Sequence, residues 1–491
     1  MAARLSLAAL DRLPEAVERP RYARADLRPG IVHIGVGNFH RAHMALYLHD
    51  LFQSGADLDW AIIGAGVRAA DASTRDDLAA QDWLTTLIEL DPERDRPVVT
   101  GPMVDFVPVT PENAPLIAAM NDPAIRIVSL TVTEGGYYID PATGRFDPSH
   151  PDMIADSAAP GRPISAFGAM IAALRARRRA GVPPFTVMSC DNLPENGHVT
   201  RDTILGLARM SDPKLADWIR AHVAFPSGMV DRITPATSDR ERQMVLDRWG
   251  IEDARPVACE SFRQWVLEDR FPAGRPAFER VGVTMTSDVT PYEMMKIRIL
   301  NGGHATIAYP SALLGLHFVH DAIRHPLIRA FLDKLERDEI IPIVPPVPDT
   351  DLAGYYAKVV ERLENPGVGD TVPRLCLDGS NRQPKFILPS VRDRLRQGLG
   401  VEGLALVSAL WCRYLGGPSE AGEPITVDDP SAERLVAYAQ RARTDPAAFL
   451  ALREIYGDLA DASAFAEPFC RHVSALWAEG VEGVMDRYTA S

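Results

Sequence analysis

The sequence predicts an α/β protein in which an N-terminal Rossmann-like domain on a parallel sheet is followed by a mostly α-helical C-terminal domain. Three observations carry this expectation. Apolar runs of strand length alternate with helical stretches through the first half, a glycine-rich turn joins the first such strand to the first such helix, and strand signals fade beyond about Thr290.

Taken in order, GIVHIGVG (30–37), WAIIGAGV (60–67), IRIVSLTVTE (125–134) and FTVMSCDN (185–192) are nearly continuous apolar runs with Gly, Glu or Asn at or next to their ends. Strands buried on both faces of a parallel sheet read this way, with functional residues at their C-terminal ends. Between them, RAHMALYLHDLFQSG has apolar residues at helical spacing and stops at Gly55, and ISAFGAMIAALRARRRAGV is amphipathic and stops at Gly181. Strand, helix, strand implies right-handed crossovers. After about residue 290, HPLIRAFLDKLERDEIIPIV, SAERLVAYAQRAR and EPFCRHVSALWAEGVEGVMDRY read as helices separated by proline-rich loops. The expected domains are residues 1–285, dinucleotide-binding, and 286–491, substrate-binding, with the active site in the cleft between them.

Composition narrows the function. The chain has 491 residues and a net charge of -14, which argues against nucleic acid as the main partner because phosphate binding needs clustered cations. The five cysteines (Cys190, Cys259, Cys376, Cys412, Cys470) are scattered and show no C-x-x-C spacing, so reduced cytoplasmic thiols are expected. The uncharged run 299–320 contains Asn301, His304, Pro310, His317 and His320, which lipid would leave unsatisfied, so it is read as buried in protein. No membrane span, and a monomer, are expected.

Chemistry concentrates in a few stretches. Gly35 and Gly37 open a G-x-G-x-x-G turn in its proper setting after a strand, but His40 occupies the third glycine position. Asn38, Phe39 and Glu134 complete the expected cofactor set. His40 and His43 have the spacing of a metal pair, yet no second cluster is evident, and no metal is expected. Where an acid would hold the ribose of NAD, the chain offers Arg68 and its first acid only at Asp71, so Arg68 is either a reader of the NADP phosphate or an ordinary exposed arginine.

TPYEMMKIRILNGGHATIAY (290–309) begins as a helix with Thr290 as N-cap, Pro291 at the first position and Glu293 either completing a capping box or, three residues before Lys296 on the same face, serving catalysis by passing the lysine's proton to solvent. Lys296 follows, and an uninterrupted helix would set His304 about 12 Å further along its axis. Asn301, Gly302 and Gly303 suggest a kink or close approach between them. Asn192 stands past a strand end where its amide can meet a substrate oxygen, and Asp231 and Arg232, flanked by Val230 and Ile233, read as an internal ion pair.

Six blocks, GVGNFHRAH, TEGGYY, CDNLPENG, GMVDRITP, KIRILNGGH and RLCLDGSNRQPKF, resemble in sequence and order those of the long-chain, metal-independent polyol dehydrogenases, the family of mannitol 2-dehydrogenase and its sugar-acid relatives. The resemblance implies NAD-dependent oxidation of a linear polyol, with Lys296 as general base, Asn192 and Asn301 as amides facing the reacting oxygen, and His304 orienting the substrate. Asp231, Arg374 and Arg382 would hold the remote hydroxyls. Met44 and Arg382 stand where the family pattern has glutamine and lysine. A lysine base must be able to lose its proton near neutrality, far below the ordinary value of about 10.4, which an apolar site favours. Two alternatives remain at this level: oxidation of D-mannonate to D-fructuronate, with Arg374 or Arg382 pairing the carboxylate, and a non-catalytic dinucleotide sensor.

Overall fold

The computed structural model describes residues 3–140 and 143–491, which fall into two compact units, Met1–Val289 and Thr290–Ser491. The first unit is organised around a five-stranded sheet. Its strands are β1 (Pro29–Ile34), β2 (Ala61–Ala65), β3 (Met103–Phe106), β4 (Ile127–Leu130) and β5 (Thr186–Ser189). They run in the order β5-β4-β1-β2-β3, all neighbours parallel. This is the doubly wound arrangement, and the chain changes direction across the sheet between β1 and β4, where such folds open a ligand crevice. Ile31, Val32, Ile34, Ile127, Val128 and Leu130 are all fully buried, so both sheet faces are covered, which is why these strands read as continuous apolar runs.

The helix expected after β1 is divided. α1 (Asn38–Ala42) and α2 (Met44–Gln53) are separated by His43, whose backbone leaves the helical region at φ -119°, ψ -93°. α3 (Ala166–Ala180) starts where the Ser165 hydroxyl accepts the Gly168 N–H at 2.9 Å and ends at Gly181 with φ +69°. Two three-stranded sheets stand beside the main one. Thr85–Leu90 lies between Val257–Glu260 and Arg96–Thr100, and Gln264–Glu268 lies between Gly228–Asp231 and Thr284–Thr286.

The second unit is helical, and its extended pairing among the described residues is one isolated bridge, Phe318 with Thr371. Its core is built on the helix Glu402–Gly416, buried on nearly every side and packed against Ser463–Ala490, which Gly480 interrupts at φ +79°. The uncharged run is internal only in its first part: α5 (Gly302–Leu313) is buried along almost its whole length, but Gly315, His317 and Phe318 beyond it are exposed. Among the described residues no helix is long and apolar enough to cross a membrane.

One departure matters for chemistry. Between α4 (Thr290–Met295) and α5 the chain forms a π-helical segment, Lys296–Asn301, in which the Gly302 N–H donates to the Ile297 carbonyl five residues back. The uninterrupted helix from Lys296 to His304 is therefore not formed. Gly302 itself is regular, at φ -61° and ψ -42°, so the irregularity precedes the glycines and the expected glycine kink is absent. Two further π-helical segments, Glu336–Ile340 and Gln383–Ile387, pack against the first.

Candidate active site

At the tip of β1 the glycine turn is fixed by sterics. Gly35 has φ +96°, and a Cβ there would come within 2.1 Å of the Thr131 carbonyl oxygen. Gly37 is the opposite case, with nothing within 4 Å of the space a Cβ would fill, so its open flank lets a ligand approach the backbone closely. A dinucleotide fits this pair of properties.

His40, in the third glycine position, lies flat on the ring of His33 from β1, with centroids 3.5 Å apart and planes 15° apart. His43 places Nε2 3.1 Å from the Gln264 carbonyl. Burial pushes the His43 ring down to about 3 and holds His40 well below the ordinary imidazole value. Both rings are packing elements, and among the described residues no three His, Cys, Asp or Glu side chains gather as a metal site. The Asn38 amide donates to the Thr237 hydroxyl (2.9 Å) and the Pro235 carbonyl (3.1 Å) and accepts from Arg41 Nη2 at 2.7 Å. The side chain of Asn38 thus holds the turn itself, while Phe39 stacks on His43.

At the end of β2, Arg68 is 75% exposed and reaches Asp71 at 3.4 Å. The Asp71 carboxylate accepts the backbone N–H groups of Val67 (3.0 Å) and Arg68 (2.9 Å), so the acid that follows Arg68 in sequence is folded back onto the end of β2. Glu134 is exposed and opens a short turn after Thr133, whose φ is +66°. That backbone is held by a residue sequence reasoning missed. Asp191, buried at the end of β5, accepts the N–H groups of Val132 and Thr133 (both 2.9 Å) and the Tyr137 hydroxyl (2.6 Å). Desolvation nevertheless raises its pKa above the ordinary carboxylate value. Its only signal was an aspartate beside the candidate Asn192, which is exposed.

Asp231 is buried at the end of Gly228–Asp231. Arg232 makes its ion pair with Glu89 rather than with Asp231, and also donates to the carbonyls of Ala42 (2.6 Å) and Glu260 (2.8 and 3.0 Å). The expected Asp231–Arg232 pair is not the one formed, because Glu89 and two carbonyls satisfy the guanidinium on all its edges.

In the second unit, Glu293 and Lys296 are buried, 7% and 5% exposed. Thr290 is already helical, so α4 opens at the residue expected to be its N-cap, one position before Pro291. The π-helical segment begins with Lys296 and ends with Asn301, and His304 follows in the first turn of α5. The Nε2 atom of His304 is closed off from solvent and has no protein partner. Desolvation first, then the nearby guanidinium of Arg374, pushes this ring down to about 3, so it is neutral, and Asp370, Arg362 and Arg382 share its electrostatic surroundings. Arg374 is clamped on Asp370 by two contacts of 2.5 Å, and Arg382 donates to the Leu375 carbonyl at 2.7 Å. The structure thus gathers His304, Arg374 and Arg382 in one neighbourhood. A buried amine, an amide and a neutral imidazole on consecutive turns can remove a proton from a hydroxyl and bind an oxygen.

Residues 29–280 match the model of the mannitol dehydrogenase Rossmann domain, and residues 288–477 that of the mannitol dehydrogenase C-terminal domain. A mannitol 2-dehydrogenase of Cereibacter sphaeroides is 59% identical over 98% of this chain and 100% of its own length. Among solved structures, the ternary complex of Pseudomonas fluorescens mannitol 2-dehydrogenase with NAD and D-mannitol is similar at a TM-score of 0.88 and 44% identity, covering 100% of both chains. A D-sorbitol dehydrogenase in substrate-free form is similar at a TM-score of 0.90 and 35% identity, covering 98% of this chain and 100% of that one.

Proposed function

Because the chain belongs to the mannitol dehydrogenase family, we propose that it is an NAD-dependent polyol dehydrogenase that oxidises D-mannitol to D-fructose, or a close relative such as D-arabinitol, with Lys296 as general base and without a metal ion. The observation that carries this reading is the buried Lys296 at the head of a π-helical segment whose last residue is Asn301. Such irregular helical turns recur at functional sites, because the extra residue per turn re-aims side chains.

The secondary hydroxyl gives its proton to Lys296 Nζ, and the hydrogen on the same carbon leaves as hydride, so that the C–O bond becomes a carbonyl. Bound NAD supplies the hydride acceptor, held at the Gly35–Gly37 turn. Asn192 and Asn301 donate to the oxygen as it passes through alkoxide character. His304, neutral and with an unclaimed Nε2, orients the substrate. Asp231, Arg374 and Arg382 serve the remote hydroxyls.

Mannonate is the alternative substrate. Arg374 already has the Nε–Nη2 edge of its guanidinium committed to Asp370, whereas Arg382 spends only Nη1 on the Leu375 carbonyl, so a bidentate grip on a carboxylate would fall to Arg382. A sensor without catalysis would have no use for both a buried lysine and a neutral histidine with an unclaimed nitrogen. Five free thiols support a cytoplasmic location, and a monomer is the proposed assembly. Turnover of D-mannitol, D-arabinitol, D-sorbitol and D-mannonate with NAD, measured side by side as NADH absorbance, tests the reading. The highest kcat/KM is expected for D-mannitol or D-arabinitol, and a preference for D-mannonate would overturn it.

A further inference from the structure

The glycine turn carries a hydrogen-bond arrangement that the reaction itself does not require. The Gly35 carbonyl oxygen accepts from three directions: the Gly37 N–H at 2.8 Å, the Thr131 hydroxyl at 2.6 Å and His33 Nε2 at 3.1 Å. A carbonyl offers two lone pairs, so this oxygen is saturated from within the protein. His33 is fully buried on β1, directly paired with Ser129 on β4, and its Nδ1 lies 2.8 Å from the Ser129 hydroxyl. Its Nε2 also lies 3.1 Å from Thr131 Oγ1. One tautomer satisfies every contact. Nε2 carries the hydrogen and shares it between the Gly35 carbonyl and Thr131, and Nδ1 accepts from Ser129. The reverse tautomer would set the Nε2 lone pair against the carbonyl. His40, stacked on the same ring, closes it from the helix side.

Because a trans peptide points its C=O and N–H in opposite directions, fixing the Gly35 carbonyl inward fixes the Val36 N–H outward. Among the described residues no protein acceptor takes that N–H. The turn lies at the β1/β4 switch point, the place in this fold where ligands dock.

We propose that His33, Thr131 and Ser129 are positioning residues for the dinucleotide: they lock the Gly35–Val36 peptide so that its N–H faces the pyrophosphate, with His40 as the lid on the lock. This rests on the NAD-dependent reading above. It also accounts for histidine in a fingerprint position that usually holds glycine, because the ring of His40 is the packing partner of His33.

The test is the dissociation constant for NAD, measured by calorimetric titration of the full chain without substrate, together with the melting temperature of the ligand-free protein. Thr131→Val removes the hydroxyl at constant shape, and Thr131→Ser restores it. The expected result is a fivefold to tenfold weaker NAD affinity in Thr131→Val, the scale of about one lost hydrogen bond. Thr131→Ser should return close to wild type, and NAD-saturated turnover should fall less than affinity does. An independent pair is His33→Leu, which should bind weakly, against His33→Gln, whose amide can reach the Gly35 carbonyl. That pair decides the matter if Thr131→Val does not fold. Wild-type affinity in Thr131→Val, or failure of Thr131→Ser to restore affinity, overturns the inference alone. Absence of NAD binding by the wild-type protein overturns the dinucleotide reading and the inference together.

Discussion

Glu336 gives a stability prediction that follows from burial alone. Its side chain is fully buried, neither carboxylate oxygen has a hydrogen-bond partner, and Oε1 sits 3.6 Å from where a Cβ on Gly303 would lie, next to His304. Desolvation, with no opposing charge, holds its pKa well above the usual carboxylate range. In the unfolded chain the same group ionises near pH 4.3, at about its ordinary value. A raised folded pKa means that the stabilising contribution is complete below the unfolded pKa and declines as pH rises toward the folded one. Over that window each pH unit costs the native state about 1.4 kcal/mol relative to a side chain that does not titrate. Glu336→Gln is such a side chain, of nearly the same shape. For a helical unit of this size the slope corresponds to roughly 3–6 °C in melting temperature per pH unit. Calorimetric melts of wild type and Glu336→Gln at pH 5, 6, 7 and 8 read it directly. The melting temperature of the variant should gain on wild type steadily as pH rises, whatever the offset at pH 5. Parallel curves would show that Glu336 is ionised or partnered in the native state and would refute the reasoning.

Three further predictions concern the reaction. Lys296→Ala should lower kcat by roughly 10²–10⁴, the range for loss of a general base, with NAD affinity nearly unchanged; an equal collapse of affinity would make the lysine structural. Glu293 lies three residues before Lys296 and is buried, which favours a carboxylate that passes the collected proton onward over one that only caps its helix. Glu293→Gln should therefore slow oxidation and change the pH dependence of kcat at unchanged thermal stability, and superimposable kcat–pH curves would sink the relay. NAD should give at least tenfold higher kcat/KM than NADP, because the Asp71 carboxylate is fixed by two backbone amides at the end of β2 and disfavours a phosphate there. A higher value with NADP would show that Arg68 reads that phosphate.

The parts of this structure that were legible in the sequence are those whose physics is local. β1, β2, β4 and β5 announce themselves because burial on both faces demands continuous apolar residues, and α3 because Ser165 and Gly181 cap it within its own segment. Lys296, Asn301 and His304 could be named from residue type, but not the π-helical turn that carries Lys296 and Asn301. An α-helix and a π-helical insertion share nearly the same apolar pattern, and the choice depends on packing against Glu336–Ile340 and Gln383–Ile387. His40 looked like an interrupted fingerprint because its stacking on His33, on β1 just before the turn, appears only once the turn folds the helix back over the strand. Arg232 was assigned to its neighbour Asp231, whereas its carboxylate partner Glu89 lies 143 positions away. Asp191 carried no signal beyond its place next to Asn192, since its role is to accept two amides from a loop about sixty residues earlier.

The central claim is that this chain oxidises a polyol with NAD by a lysine base and no metal ion. It is tested most directly by incubating the purified protein exhaustively with a chelator, supplying D-mannitol and NAD, and measuring NADH formation together with the sugar product. The account predicts an undiminished rate and D-fructose in amounts equal to the NADH formed. A rate abolished by chelation and restored by added metal, or no NADH at all from any linear polyol, would contradict it.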